Sequence, residues 1–155
     1  EGDDHIGFHI SPNIGEPLKP LKRIASGGEM SRIMLAMKAA AADKNLIPTM
    51  IFDEIDTGIS GRIANVVAEK MDDIARYHQV ICVSHLPQIA AMADHQYLVE
   101  KTVSGLRTVT TLKELGYEQR VDAVASLLGT RSMSENSGTV HAWNMIEAAR
   151  NRKKV

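Results

Sequence analysis

The fold of this chain is decided by one stretch, Thr49-Met50-Ile51-Phe52-Asp53-Glu54-Ile55-Asp56-Thr57-Gly58. The apolar run at residues 50–52 is too short for an amphipathic helix and predicts a strand buried on both faces of a parallel sheet. Such a strand delivers Asp53 and Glu54 to the carboxyl edge of the sheet, where open α/β sheets bind their ligands. One carboxylate there can hold Mg²⁺, directly or through water, and its neighbour can orient or deprotonate a water molecule. Taken alone, the pattern fits a strand ending in a polar turn equally well.

Length and composition indicate one globular domain with an aliphatic core. The chain has 155 residues, which is enough to bury a core. Aromatic residues make up 4% of it, so alanine, leucine, isoleucine, valine and the eight methionines must do the packing. The single Cys82 lies in an apolar run, which indicates a buried thiol and leaves no disulfide framework or zinc cluster. A net charge of -1 gives no global basic field for nucleic acid, although a local patch would suffice.

No targeting segment is visible in the sequence. Its apolar runs are shorter than the about 18 residues that a membrane span needs, so we expect a soluble, cytoplasmic protein. Residues 1–4 contain no initiator methionine and lead directly into an apolar alternation at residues 6–10. We therefore expect the chain to be a piece of a longer protein.

Upstream and just downstream of the acidic stretch, local patterns predict one strand and two helices. Residues 5–10 alternate apolar and polar side chains, which predicts a strand with one buried face. Residues 30–43 predict a helix by propensity, and residues 60–76 predict a second one capped by Ser60. The apolar residues expected to face the core are Ile33, Met34, Met37, Ala40 and Ala41 in the first helix, and Ile63, Val66, Val67, Met71 and Ile74 in the second.

The rest of the chain continues the alternation of strands and helices. A second buried strand is predicted at residues 80–83, and a helix begins at Leu86-Pro87. Residues 97–101 and 107–112 predict a β-hairpin. A helix at 120–128 stops at Gly129, a polar loop covers 130–138, and a last helix covers 140–152. This order predicts an α/β fold with a largely parallel sheet flanked by helices, plus the hairpin.

The sequence Ser26-Gly27-Gly28-Glu29 has two explanations. Ser26 at the N-cap and Glu29 three positions later form a capping box, which the local pattern favours. The same geometry leaves the backbone N–H groups beside the two glycines accessible to a phosphate, which the helix dipole also attracts.

His85 ends the strand that follows the acidic one. A histidine after a strand is usually only a polar loop residue. Here both strands can reach the same sheet edge, where a histidine could hydrogen-bond a terminal phosphate or an attacking water.

Together these motifs occur in the order found in the second half of an ABC-type ATPase head, which the chain resembles. Residues 26–29 resemble the signature motif, Asp53 and Glu54 the end of the Walker B strand, residues 56–58 the D-loop, and His85 the switch histidine. The residues are closer still to the RecN family of SMC-like bacterial DNA-repair ATPases. The segments that carry this resemblance are Asn13-Ile14-Gly15-Glu16-Pro17-Leu18-Lys19-Pro20-Leu21, Ala25-Ser26-Gly27-Gly28-Glu29-Met30-Ser31-Arg32, Phe52-Asp53-Glu54-Ile55-Asp56-Thr57-Gly58-Ile59-Ser60-Gly61 and Val83-Ser84-His85-Leu86-Pro87-Gln88-Ile89-Ala90. The resemblance extends to about Gly129.

The resemblance implies that residues 1–155 form one lobe of a P-loop NTPase head that uses ATP and Mg²⁺. The implied roles are Mg²⁺ binding, largely through water, at Asp53, activation of the hydrolytic water at Glu54, sensing of the γ-phosphate at His85, and nucleotide contacts at Ser26, Gly27, Gly28, Glu29 and Asp56, with Asp56 also coupling two sites. The implied partners are the protein's own N-terminal Walker A lobe, a second head in a head-to-head homodimer, and DNA through the full-length protein. The implied location is the bacterial cytoplasm, at the nucleoid.

The sequence departs from the ABC pattern in two places. Ala25 stands where many signature motifs have leucine, which concerns packing. More seriously, no Gly-x-x-x-x-Gly-Lys-Ser/Thr phosphate loop is present. In heads of this type that loop lies in the N-terminal half, beyond a coiled-coil arm, so the resemblance implies a C-terminal lobe without its phosphate cradle.

Three alternatives remain open. Residues 53–56 also spell the DExD box of a helicase, against which the upstream Ser-Gly-Gly-Glu argues. A transporter ATPase subunit is a second alternative, although Glu29 replaces the glutamine common in transporter signatures. The third is a non-catalytic module for dimerisation or scaffolding.

The basic residues allow two interpretations. Lys19, Lys22 and Arg23 either face DNA or solvate a loop. The cations near the C-terminus either complement the dipole of the last helix or contact DNA; they are Arg150, Arg152, Lys153 and Lys154.

Overall fold

The structure is a computed structural model that describes residues 6–11, 14–21, 26–44, 46–104, 107–129 and 136–154. The strands are β1 (His9–Ile10), β2 (Lys19–Pro20), β3 (Thr49–Phe52), β4 (Gln79–Cys82), β5 (Tyr97–Ser104) and β6 (Arg107–Glu114). The helices are α1 (Gly27–Ala40), α2 (Gly61–Ala75), α3 (Pro87–Met92), α4 (Tyr117–Leu127) and α5 (Asn136–Lys153). The 3₁₀ turn Ala42–Lys44 follows α1.

The acidic stretch follows a strand of a parallel pair, as predicted. β3 and β4 pair from Thr49 opposite Gln79 to Phe52 opposite Cys82, and the Val83 N–H extends the ladder to the Phe52 carbonyl. The prediction that both strands are buried on both faces is wrong. Ile51 is 70% exposed, and its register partner Ile81 is 44% exposed. The helices therefore cover one face of the pair and leave the other open within the described residues.

The described part of the chain contains less parallel sheet than the sequence pattern predicts. β1 pairs with β2 and β5 pairs with β6, both antiparallel, so β3 and β4 form the one parallel pair among the described residues. The hairpin is confirmed and is longer than predicted. The one-sided burial expected for residues 5–10 is wrong for its described part, because Ile6 and Phe8 are both exposed. The α/β class with helices against a small sheet nevertheless stands.

The first core cluster lies between the covered face of the sheet and helices α1 and α2. Its buried members are Leu35, Ala42, Met50, Phe52, Ile55, Val67, Ala68, Met71, Ile74 and Ile89. In α2 the predicted Val67, Met71 and Ile74 are buried, whereas Ile63 and Val66 are exposed. Ser60 is the N-cap of α2, as predicted, but its side chain makes no capping hydrogen bond.

The predicted inward face of α1 is wrong. Met34 and Met37 are exposed, whereas Gly28 and Leu35 are buried and Ala39 packs against the core. A helix this rich in alanine and methionine has more than one apolar stripe, so periodicity alone cannot choose its rotation. The rotation follows instead from contacts that Gly28 makes at its N-terminal end.

A second core cluster joins α3, α4 and α5. Its buried members are Ala91, Val121, Val124, Ala125, Ala142 and Ile146. Helix α5 begins at Asn136, which corrects the predicted loop over residues 130–138; the part of that loop at 130–135 lies outside the described residues. Serine, glycine and threonine are weak helix formers, and packing of the following turns overrides that weak preference.

The basic end of α5 is bound within the chain. The Lys153 Nζ lies 2.6 Å from Asp94 and 3.5 Å from Asp72, and Arg152 lies 3.1 Å from Asp73 and 3.4 Å from the buried Asp72. These ion pairs attach α5 to α2 and to the end of α3. Arg152 and Lys153 thus have acidic partners within the chain, which neither the helix-dipole nor the DNA interpretation predicted. Lys22 and Arg23 lie outside the described residues.

No helix among the described residues is both long enough and apolar enough to cross a membrane.

Ile51 on β3 and Ile55 in the turn after it allow a direct test of the burial described for this stretch. We expect Ile55→Ala to lower the free energy of unfolding by about 2–5 kcal/mol, because Ile55 is 0% exposed and its loss leaves a cavity. The matched control Ile51→Ala changes a side chain that is 70% exposed, and we expect it to stay within about 0.5 kcal/mol of the unaltered chain. Urea denaturation followed by circular dichroism measures both. Equal losses in the two variants would contradict the exposure of Ile51 on β3 and the burial of Ile55 in the turn that follows it.

Candidate functional site

The carboxyl ends of β3 and β4 place the predicted site residues side by side. Asp53 directly follows β3, and its Oδ1 accepts a hydrogen bond of 2.9 Å from the backbone N–H of Glu54. Glu54 has a φ of 55°, a left-handed conformation that is uncommon for a residue with a side chain. Both side chains are exposed. The chain thus turns sharply at Glu54 and presents two carboxylates at the sheet edge.

Asp56 joins this turn to the end of β4. Its carboxylate is 4% exposed, and its Oδ2 accepts hydrogen bonds from Ser84 Oγ at 2.7 Å and from the His85 N–H at 2.8 Å. Burial acts to raise the pKa of Asp56, but the bonds from Ser84 and His85 outweigh it, and the pKa lies below its usual value. The geometry therefore assigns this carboxylate an anchoring contact within its own chain.

His85 is oriented by the same carboxylate. Its Nδ1 lies 3.0 Å from Asp56 Oδ2, while 73% of its side chain is exposed. A carboxylate beside Nδ1 favours the tautomer with its proton on that atom, which leaves Nε2 available to a ligand. His85 can therefore present a defined ring nitrogen to solvent at the edge where Asp53 and Glu54 lie.

The N-terminus of α1 contains the predicted capping box. The Glu29 N–H donates to Ser26 Oγ at 3.4 Å, and the Ser26 N–H donates to Glu29 Oε2 at 3.1 Å. This confirms the local explanation of the motif without deciding whether the terminus also binds phosphate.

The two glycines of that motif lie against the acidic turn. A Cβ on Gly28 would stand 2.9 Å from the Thr57 carbonyl oxygen, and one on Gly27 would stand 3.1 Å from Glu54 Oε2. Gly28 is thus required by backbone packing, whereas Gly27 leaves room for a carboxylate. The site consists of the α1 terminus, the 53–58 turn and the end of β4 in mutual contact.

Sequence reasoning missed two residues that build this site. Arg32 Nη1 donates to the Ile55 carbonyl at 3.3 Å and to the Thr57 carbonyl at 2.8 Å. Ser84, quoted only as the neighbour of His85, binds Asp56. The helical spacing of Arg32, four residues after Gly28, could have indicated that both face the same loop.

The donor set at this edge suits a magnesium–nucleotide complex. No cluster of three or more metal-ligating side chains occurs among the described residues. Mg²⁺ in nucleotide sites characteristically uses only one or two carboxylates and takes its other ligands from phosphates and water. Within the described part of the chain, Asp53 Oδ2 and the Glu54 carboxylate make no hydrogen bond or ion pair, so both remain able to act on such a complex.

Cys82 takes no part in this chemistry. Burial, together with the negative charges of Asp56 and Asp53, raises the pKa of its thiol to about 12. The thiol is therefore protonated at neutral pH, which makes it a poor nucleophile and a poor metal ligand.

Comparison with known proteins identifies the family. The chain is 45% identical over 149 residues to the DNA repair protein RecN of Halalkalibacterium halodurans, 44% over 149 residues to that of Bacillus subtilis, and 42% over 153 residues to that of Treponema pallidum. The chain belongs to the RecN family. These matches cover 96–99% of the chain, which spans 26% of the length of each RecN relative. No protein-family model matches the chain.

One solved structure supports the fold of this RecN segment. It comes from work on ATP-driven dimerization and DNA-stimulated activation of SMC ATPases, and it matches with a TM-score of 0.51 over 78% of this chain and 70% of that one. The sequence identity is 22%, so the likeness concerns the fold alone. The predicted partial ATPase-head lobe of α/β class is confirmed at that level.

The pKa of Asp56 leads to a pH-dependent prediction. We expect Asp56→Asn to lower the free energy of unfolding at pH 7 by about 2 kcal/mol, the scale of hydrogen bonds to a charged group. A lowered pKa in the folded state stabilises the fold above the usual value of 3.8, and this contribution is lost as the pH falls through the folded-state pKa. The difference between the two proteins should therefore shrink below pH 3.8.

Chemical denaturation at pH 7 and at successively lower pH values measures this difference. The control is Asp122→Asn, which changes an exposed carboxylate on α4. A cost of Asp56→Asn that stays constant across the pH range would contradict the ionised, hydrogen-bonded state of Asp56.

Proposed function

We propose that this chain is the C-terminal lobe of an SMC-like ATPase head that acts in recombinational repair of DNA double-strand breaks. The observation that carries the proposal is the meeting of Glu54, His85 and the α1 terminus around one turn at the sheet edge. RecN relatives that bear the name of DNA repair proteins, and a fold like that of an SMC ATPase, support it. The lobe supplies the signature motif and the Walker B acids.

The residues at the edge divide the work of hydrolysis. Mg·ATP, when bound, supplies the phosphoryl group and the cation that neutralises its charge. Asp53 would hold the cation, largely through water, with the carboxylate oxygen that the Glu54 N–H leaves available. Glu54 orients the attacking water and accepts its proton. His85 faces the terminal phosphate and, through Nε2, accepts a hydrogen bond from the attacking water, since Asp56 occupies Nδ1.

The phosphate cradle is assigned to the protein's own N-terminal Walker A lobe. The uncovered face of the β3–β4 pair carries Ile51, Ile81 and Val83, all exposed in this chain. An apolar sheet face of this kind is normally covered by another layer of structure. We assign that cover to the Walker A lobe, which places its phosphate loop beside Asp53.

The signature motif is assigned to the nucleotide of a second head. Ser26 and Gly27 are exposed at the N-terminus of α1, and the resemblance to ABC-type heads implies that this terminus contacts the nucleotide of the partner head. A phosphate presented by a partner head allows Ser26 and Gly27 to contact it from the opposite side. A head-to-head homodimer follows, with DNA bound through the full-length protein.

The role of Glu54 is tested in the full-length parent. We expect Glu54→Gln to bind ATP with unchanged affinity but to turn it over at least about a hundredfold more slowly, because a positioned base contributes that much. Glu118→Gln, which changes an exposed carboxylate on α4, is the control. Phosphate release measures turnover, and near-normal turnover of Glu54→Gln would remove Glu54 from this role.

The division into two lobes is tested with the chain itself. We expect the purified chain neither to bind Mg·ATP at micromolar concentration nor to hydrolyse it, because it has no phosphate-loop amides or lysine to neutralise the β- and γ-phosphates. Addition of the Walker A half should restore both activities. Calorimetric titration with Mg·ATP before and after mixing measures the binding. Micromolar binding by the chain alone would contradict the proposal. Dimerisation without turnover after mixing would favour the non-catalytic scaffold instead.

A further inference from the structure

Helix α1 provides donors to every second carbonyl of the acidic turn. Within the turn, the Thr57 N–H donates to the Glu54 carbonyl at 3.1 Å and the Ile59 N–H to the Asp56 carbonyl at 3.4 Å. The intervening carbonyls receive bonds from α1, from Ser31 Oγ to Asp53 at 3.5 Å and from Arg32 to Ile55 and Thr57. The bond from Arg32 to the Ile55 carbonyl is partly buried, and a carbonyl shielded from water is costly without a partner, so Arg32 completes the turn.

The contact between α1 and the turn is so close that a displacement of the helix would also displace the turn or break its bonds to the helix. Gly28 approaches the Thr57 backbone directly, and Arg32 Nη1 would stand 3.0 Å from a Cβ at the same glycine. The guanidinium therefore lies in the space between helix and turn and bridges two carbonyls of the turn. A displacement of α1 in this geometry must either move the turn or break the bonds of Arg32.

The conformation of Glu54 needs such external support. A φ of 55° at a residue with a side chain costs free energy, and it persists only where neighbouring contacts enforce it. On one side the turn is held by Asp56, through Ser84 and His85. On the other side it is held by Arg32, whose bond to the Ile55 carbonyl immediately follows Glu54 in the chain.

We propose that Arg32 is a positioning residue that holds the 54–57 turn against α1 and thereby keeps Glu54 in the place from which it activates water. This inference rests on the proposed function. It also links the two motifs physically, because the helix that begins with the signature residues carries the side chain that fixes the Walker B glutamate.

The first arm of the test uses this chain alone. We expect Arg32→Met, which keeps the apolar stem and removes the donors, to speed hydrogen exchange of the Thr57 and Ile59 amides about tenfold. The control Arg76→Met removes an exposed guanidinium at the far end of α2 and should leave these amides unchanged. Arg32→Lys retains donors and should restore part of the protection.

The second arm uses the full-length parent. We expect Arg32→Met to lower kcat about tenfold or more while the Kd for ATP stays within about twofold, since a small misplacement of a catalytic group acts on turnover. The Arg32→Lys variant should retain part of kcat. The control Arg76→Met should have the kcat of the unaltered parent. A residue that served only the stability of the fold would lower the melting temperature without this split between kcat and Kd.

The outcomes separate this inference from the proposed function. Unchanged exchange at Thr57 and Ile59 overturns it, and so does faster exchange with unchanged kcat. If Arg32→Met fails to fold, Arg32→Gln decides, because its shorter side chain cannot bridge both carbonyls, and unaltered exchange and kcat in that variant overturn the inference as well. If the unaltered parent does not hydrolyse ATP, the proposed function has failed, and the inference about turnover falls with it while the exchange result still reports whether Arg32 holds the turn.

Discussion

The buried carboxylate of Asp56 is the interaction on which the rest of the site depends. It joins the turn after β3 to the end of β4 through bonds to Ser84 and His85. A carboxylate removed from water is unfavourable unless charge-assisted hydrogen bonds compensate it, and here two donors approach within 2.8 Å. The Oδ2 atom of Asp56, in the turn after β3, accepts hydrogen bonds from both residues that follow Val83 at the end of β4. The orientation of His85 and the course of the turn that carries Glu54 therefore depend on a single carboxylate.

The glycines of the α1 terminus meet two demands. Gly28 has a packing role inside its own chain, since the Thr57 backbone occupies the space that a Cβ would need. Gly27 instead borders the Glu54 carboxylate, at the surface of the site. The same dipeptide thus brings the helix onto the acidic turn and keeps its terminus open to a ligand. Under the proposed function, Gly28 serves packing and Gly27 serves ligand contact.

In this chain the type of a side chain does not predict whether it pairs within the fold, faces solvent or lies in the core. Arg152 and Lys153 belong to a basic C-terminal run, yet they pair with acidic groups on α2 and at the end of α3. Conversely, Ile51 and Ile81 have the side chains of core residues but lie on an uncovered sheet face. The apolar face that Ile51 and Ile81 form is the surface that the proposed Walker A lobe would cover.

The sequence by itself determined the order of the helices and of every strand except β2, the capping box at Ser26, the hairpin and the arrival of Asp53, Glu54 and His85 at one sheet edge. Each of these depends on local periodicity, on capping chemistry or on the rule that parallel strands end at the same edge. Only the tertiary structure decided which face of α1 is buried, that the sheet is covered on one side, and that Arg32 and Ser84 complete the site. The reason is physical: α1 has several apolar stripes of similar strength, so the close approach of Gly28 to Thr57 selects its rotation, and that contact joins residues 29 positions apart in the chain. The bonds of Arg32 follow from the same contact: helical spacing puts Arg32 on the face of Gly28, but it does not tell which loop that face meets.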